Sequence, residues 1–264
     1  MNRRYEDLEQ KLFSIAKKSE FLDLYTIGSS GRYDLYSLES IDQQNKLTAC
    51  ISAGVHGNET ETVDGLVYFL EKNFRNSDLF NNFNFIILPA VNPRAYVSGR
   101  ADNGIDVNSS FKKSGRRDIE AQQIMDYLNG RRVDIFLDMH ISREDTSEFF
   151  LYERRKQWRL SLGKKITRAV SQEFQVDRSR YINYGYFDYH SSFGVVNAND
   201  INRDLTFEEY MFKNGAKYSI TSECPNSITG KDVVRINYLI IESFLNGFLE
   251  ILEKQRTRKP LLAA

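Results

Sequence analysis

Apolar residues recur along the chain in two rhythms. Near the start, Tyr5, Leu8, Leu12 and Ile15 stand three or four positions apart, which predicts a surface helix with one buried face. The same spacing returns over 60–74, where Val63, Leu66, Val67, Leu70 and Phe74 form one stripe, and over 120–128 with Ala121, Ile124, Met125 and Leu128. Two longer helices are predicted over 154–174 and 232–254, and in the second Ile241, Phe244, Leu245, Phe248 and Leu252 face the core. Between them lie short apolar runs, at 22–27, 34–38, 47–53, 83–88, 135–139, 148–152 and 218–222. Several are continuous rather than alternating, as expected for strands covered on both faces. Strands interleaved with helices predict an α/β fold. The expected architecture is a three-layer α/β/α single domain over 1–264 with a mixed, mostly parallel central sheet. The first two runs are hairpin-like and suggest an antiparallel edge.

Composition narrows what such a domain does. Of 264 residues, 41% are hydrophobic, enough to bury a sizeable core and to exclude disorder. Lys plus Arg and Asp plus Glu both number 36, so no global basic field attracts nucleic acid or an anionic membrane. No stretch reaches the roughly 20 apolar residues of a membrane span. The opening segment lacks the apolar run of a secretory signal, and the expected address is the cytoplasm. The two cysteines, Cys50 and Cys224, sit in apolar strand-like runs and read as buried free thiols.

Only three histidines are present, so their positions carry information. His56 follows an apolar strand and precedes Glu59 at the start of a helix, a spacing that places both side chains within reach of one ion. His140 closes the apolar run DIFLDMH. In an open α/β sheet, side chains just past the carboxyl ends of strands line the ligand crevice. Two imidazoles and a carboxylate make a catalytic zinc set with a fourth position left open. Taken alone, His56 also reads as a cap near a helix start, and His140 as a strand-end histidine bound to backbone.

The segments that follow make the pattern specific. Asn92-Pro93 ends a strand with a sharp turn, and Arg100 precedes the run Gly104-Ile105-Asp106-Val107-Asn108. With His56-x-x-Glu59, His140 and the strand NGAKYSITSECP, these elements resemble, in order, the zinc carboxypeptidase superfamily of carboxypeptidase A-like enzymes. The wording HGNE followed by NPRA is also similar to the superfamily's succinylglutamate desuccinylase/aspartoacylase branch. The resemblance implies one Zn2+ held by His56, Glu59 and His140, with Glu223 as the base that activates water. It implies Arg100 facing the developing oxyanion and Asp106 accepting the outer ring N–H of His56. Asp138, two residues before His140 on the same strand face, is a second candidate for such a role.

The chain departs from the resemblance at one telling place. Carboxypeptidases of the superfamily carry Asn-Arg where this chain has Asn108-Ser109, and a serine cannot make the bidentate pair by which arginine grips a carboxylate. Arg94, Arg116, Arg117 and Arg143 are possible replacements, with Arg143 the first to test, so Asn108, Ser109 and Arg143 stand as the substrate-side candidates. The basic run 112–117 follows that motif directly and is either a solvated face or a help in attracting an acidic substrate. The superfamily's mobile tyrosine has no aligned position, although Tyr210, Tyr184, Tyr186 and Tyr189 lie upstream of Glu223. His190, among aromatics, reads as a loop histidine packed on tyrosines.

The expected function is zinc-dependent hydrolysis of a C–N amide or peptide bond, with a small peptide as substrate. The alternatives are an N-acyl amino acid amidohydrolase and a non-catalytic zinc-binding protein on the same fold. The desuccinylase branch often adds a C-terminal β domain. Here the residues after Glu223 read as one helix, which favours a compact peptidase-like domain.

Overall fold

A computed structural model of the chain describes residues 4–40, 46–112, 118–142, 146–156, 159–184, 187–201 and 206–258. Among these described residues, ten strands run β1 (Leu22–Ser30), β2 (Tyr33–Ser40), β3 (Leu47–Ala53), β4 (Phe83–Leu88), β5 (Ile135–Ile141), β6 (Phe150–Arg155), β7 (Tyr181–Tyr184), β8 (Phe187–His190), β9 (Val195–Asn197) and β10 (Tyr218–Cys224). Eight α-helices among the described residues are interleaved with them. They are α1 (Tyr5–Lys18), α2 (Thr60–Asn73), α3 (Ser77–Asn82), α4 (Pro93–Ser98), α5 (Ile119–Leu128), α6 (Gly163–Val170), α7 (Phe207–Lys213) and α8 (Lys231–Arg258).

Eight strands form one sheet in the order β1-β2-β4-β3-β5-β10-β6-β9. Its centre, β4-β3-β5-β10, is parallel, and the β1–β2 hairpin pairs antiparallel at one edge. This is the mixed, mostly parallel sheet that the sequence pattern predicts. Alternate residues of each strand serve opposite faces. Ala49, Ile51, Ile135, Leu137 and Ile220 pack with α1, α2, α6 and α8 on one side. Cys50, Phe136, Ile86 and Leu88 pack with α5 and α7 on the other. Burial on both faces explains why the central strands read as continuous apolar runs. Both cysteines are buried free thiols. Among the described residues, no helix is long and apolar enough to cross a membrane.

The predicted helix over 154–174 needs correction. Residues 150–155 belong to strand β6, and the helix is confined to Gly163–Val170. The charges at the end of β6 do not face solvent, because each is paired inside the fold. Glu153 is fully buried and accepts from Ser161 Oγ at 2.7 Å and Gly163 N at 2.9 Å. Arg154 Nε bonds Glu208 at 3.0 Å, and its Nη2 bonds Glu209 at 3.2 Å and Ile201 O at 2.8 Å. Helices α3, α4 and α7 and strands β7, β8 and β9 were not visible in the periodicity, being three to seven residues long.

Candidate active site

The carboxyl ends of β3 and β5 lie side by side at the centre of the sheet. The chain leaves β3 through Gly54, whose φ of 64° suits a residue without a Cβ. It then makes a tight turn closed by Glu59 N donating to His56 O at 3.1 Å. Helix α2 begins at Thr60, so His56 and Glu59 meet across this turn rather than along a helix. Glu59 occupies the N-cap position without using its side chain as a cap, which leaves the carboxylate for other work. Gly57 permits the turn. A Cβ there would stand 2.0 Å from Ala95 C and 2.3 Å from Tyr96 N, inside the backbone of α4. Gly57 N also donates to Ala101 O at 3.0 Å, tying the turn to the loop after α4.

Three donors converge at this point. His56 Nδ1 lies 2.7 Å from Glu59 Oε1, His140 Nδ1 lies 3.1 Å from Glu59 Oε2, and the two Nδ1 atoms are 3.2 Å apart. All three residues are buried. Two ligands about 2.0–2.1 Å from a tetrahedral zinc ion are separated by roughly 3.3 Å, so these edges come close to that geometry. Among the described residues, this is the one group of three or more His, Cys, Asp or Glu side chains placed to hold a metal ion. Glu59 Oε2 is held further by Ile141 N at 3.2 Å.

Each imidazole turns its other nitrogen toward an aspartate. His140 Nε2 is 2.9 Å from Asp138 Oδ2, and Ser52 Oγ donates to Asp138 Oδ1 at 2.6 Å. His56 Nε2 is 3.4 Å from Asp106 Oδ1, within ion-pair range but not aligned as a hydrogen bond. Burial opposes charge on both rings, but the carboxylates prevail. Asp106 and Glu59 raise the pKa of His56, and Asp138 and Glu59 raise that of His140 well above its ordinary value. Burial alone would raise Glu59, but the two histidines hold it at about 2. The fit to a divalent cation lies in the geometry: one carboxylate and two Nδ1 atoms turn to a single point, and a cation bound there replaces the protons that the carboxylates otherwise draw onto the rings.

Glu223 stands beside His140 in the parallel β5–β10 register and is buried. Desolvation, helped by Glu59 and Asp138 and opposed by the two histidines, raises its carboxyl to about 7. A carboxyl poised near neutrality is suited to exchange a proton.

The remaining sequence candidates fall into distinct places. Arg100 follows α4 after a left-handed Gly99, and its exposed side chain stands one residue from the Ala101 carbonyl that binds Gly57. Asn108 Oδ1 accepts from Phe207 N at 3.0 Å, and Ser109 Oγ donates to Asp106 Oδ2 at 2.9 Å. Both side chains therefore make contacts within the protein. Arg143, Arg116, Arg117 and Tyr186 lie outside the described residues, and so does the side chain of Tyr184. Arg94 leans instead against the β1–β2 turn at Gly31. Tyr210 is tied to Met125 O at 3.3 Å, and Tyr189 packs edge-on to Tyr152. His190 belongs to strand β8 and meets Tyr181 edge-to-face, with ring centroids 5.6 Å apart.

Sequence reasoning missed Ser52 and Gly57. Ser52 is a polar residue within an apolar strand, a visible signal, but its partner is set by the β3–β5 register. Gly57 matters through the approach of α4, which is separated from it along the chain.

Known proteins resemble this chain in sequence family and in fold. The model of the succinylglutamate desuccinylase/aspartoacylase catalytic domain matches residues 45–224. No curated protein sequence matches the chain. Among solved structures, a candidate metallopeptidase from Shewanella amazonensis SB2B superposes with a TM-score of 0.77 at 23% identity, over 92% of this chain and 91% of that one. A metallo-carboxypeptidase from Burkholderia cenocepacia gives 0.70 at 17% identity, covering 94% and 70%. Bovine thrombin-activatable fibrinolysis inhibitor, solved with a tick carboxypeptidase inhibitor, gives 0.69 at 13% identity over 95% and 98%. At these identities the likeness speaks to the fold.

Proposed function

The chain belongs to the succinylglutamate desuccinylase/aspartoacylase family, and we propose that it is a zinc-dependent hydrolase of a C–N amide bond with a carboxypeptidase-like site. The observation that carries this reading is the convergence of His56, Glu59 and His140 beside the buried carboxyl of Glu223. Zinc suits imidazole and carboxylate donors with an open position. When bound there, it supplies Lewis acidity, polarising a carbonyl and making water acidic enough to attack near neutral pH.

The protein's own residues do the rest. Glu223 takes the proton of the attacking water at its carboxylate and returns it to the leaving nitrogen, so that the amide breaks into an acid and an amine. Arg100 turns from the rim toward the oxygen on which negative charge develops. Asp138 and Asp106 hold the outer nitrogens of the two histidines and thereby the direction of Nδ1. Asn108 spends its carbonyl oxygen on Phe207 and keeps its amide N–H groups for a substrate oxygen. Arg143 supplies the cation for a substrate carboxylate.

The substrate is a short peptide or an N-acyl amino acid. The second has a specific observation in its favour, since Ser109 offers no bidentate grip and donates its hydroxyl to Asp106. Metal content of the native protein and of His140→Ala, followed by a screen of short peptides against N-acyl amino acids, tests the proposal. One zinc per native chain, lost in the variant, with release of a free amine from one substrate class, is the expected result. A native protein that takes up no zinc when it is offered overturns the reading.

A further inference from the structure

The Asp106 turn is built with more care than a simple acceptor requires. Its carboxylate accepts from Asn108 N at 2.9 Å and Ser109 N at 3.4 Å through Oδ1, and from Ser109 Oγ at 2.9 Å through Oδ2. Ser110 Oγ donates to the Asp106 carbonyl at 2.8 Å, and Asn108 Oδ1 anchors the same turn to the first residue of α7. The other face of Oδ1 looks at His56 Nε2 across 3.4 Å. The Asp106 side chain is 36% exposed, so packing alone does not fix its rotation. The two backbone amides hold Oδ1 and the Ser109 hydroxyl holds Oδ2, so the hydroxyl completes the set that keeps Oδ1 directed at the imidazole.

We propose that Ser109 is a positioning residue. Through Asp106 it holds His56 in the orientation that presents Nδ1 to the metal, and it does not bind the substrate carboxylate. The inference rests on the zinc site proposed above. It assigns to the Asn108-Ser109 step a role different from a substrate clamp. A serine hydroxyl is short, makes one strong hydrogen bond and finds its acceptor one turn away. An arginine at this position would reach past Asp106 or draw its carboxylate into a bidentate pair and away from the ring.

The test compares native protein with Ser109→Ala, Ser109→Thr, Asp106→Asn and the Ser109→Ala/Asp106→Asn double variant. Zinc affinity is read by competition with a chromophoric chelator, and the ligand field by the visible spectrum of the cobalt-loaded protein. Removing an outer partner of a metal histidine costs roughly 10–100-fold in affinity, so Ser109→Ala, one bond further out, should weaken zinc by roughly 5–10-fold. Ser109→Thr, which keeps the hydroxyl, should restore native affinity and spectrum. In the Asp106→Asn background the serine change should add less than about twofold, because the two act as one unit. Native zinc affinity in Ser109→Ala, with a raised KM only for carboxylate-bearing substrates, overturns the inference and makes the hydroxyl a substrate contact. Fully additive losses in the double variant overturn it as well. Failure of the native protein to bind zinc overturns the zinc reading itself, a distinguishable result.

Discussion

Gly57→Ala is the sharpest single test of how the fold builds the site. The new Cβ would lie 2.0 Å from Ala95 C, 2.3 Å from Tyr96 N and 2.4 Å from Ala95 Cβ, and two of these are backbone atoms that no rotamer change removes. Ordinary contact begins at 3.4 Å, so α4 and the His56–Glu59 turn must separate by about 1.4 Å. Overpacking of this kind costs about 1–3 kcal/mol. The separation also breaks the bond from Gly57 N to Ala101 O, worth about 1 kcal/mol. The expected loss is about 2–4 kcal/mol, a large share of the roughly 5–15 kcal/mol that keeps a domain folded. In urea titrations with a slope near 2–3 kcal/mol per molar, the midpoint should fall by about 1 M. Metal–ligand distances tolerate only about 0.2 Å, so zinc uptake should fall as well. Gly99→Ala is the control. Its φ of 67° is strained for alanine, but a Cβ there meets nothing within 4 Å, so it should cost about 1–2 kcal/mol and leave zinc uptake intact. A Gly57→Ala protein with native midpoint and native zinc content would refute the view that close backbone approach shapes the turn.

Further outcomes follow from the same contacts. Glu223→Gln should retain zinc while kcat falls by roughly 10²–10⁴-fold, read by parallel metal analysis and amine-release kinetics. Asp134 accepts from Thr48 N at 3.0 Å and pairs with Lys217 at 2.8 Å and Arg132 at 3.0 Å; although burial raises its pKa, these partners hold it below the ordinary value. Its stabilising contribution is therefore complete above the unfolded pKa, about 3.9, and is lost as pH falls through the lower folded value. Asp134→Asn should thus cost roughly 2 kcal/mol at pH 7, and the gap between denaturation midpoints should close in strong acid. Arg154→Ala removes the cation that bridges the buried carboxylates of Glu208 and Glu209, leaving Lys213 on Glu209 and Thr206 and Glu209 N on Glu208, and should cost roughly 3 kcal/mol in urea unfolding. Cys50 and Cys224, whose thiols burial pushes far above the ordinary range, should resist a disulfide-exchange reagent in native protein and react together after unfolding.

What the sequence made legible was whatever depends on local spacing. The stripes at Val63–Leu66–Val67–Leu70 and Ala121–Ile124–Met125–Leu128 became α2 and α5, because one buried face is enough to define a helix. His56 and Glu59 were legible as a pair, since three residues are also the span of a tight turn. The error over 154–174 has the opposite cause. Arg154 and Arg155 read as the start of that helix, but Arg154 pairs with Glu208 and Glu209 of α7, far along the chain. Paired charge at the end of a strand cannot be told from solvated charge in one sequence. The same holds for Ser109, whose contact with Asp106 becomes meaningful only once Asp106 is seen against His56.

The two histidines of the site are not held alike. His140 grows from a central strand, and its Asp138 partner sits on the same strand, fixed by Ser52 from the neighbouring one. All three are buried in a sheet whose hydrogen-bonded register leaves little freedom. His56 stands on a turn, its partner Asp106 stands on another, and the distance between them is 3.4 Å rather than 2.9 Å. Metal entry should therefore act mostly on the loop side, drawing His56 toward Asp106 while His140 stays in place. Loops that can be drawn together by a ligand are also the segments through which substrate enters. The contacts that brace this side, Ser109 to Asp106, Asn108 to α7 and Gly57 to Ala101, all lie outside the sheet. Related chains that share the His-Glu-His set should differ there, and substrate choice with them, while Asp138 and Ser52 remain tied to the strand register.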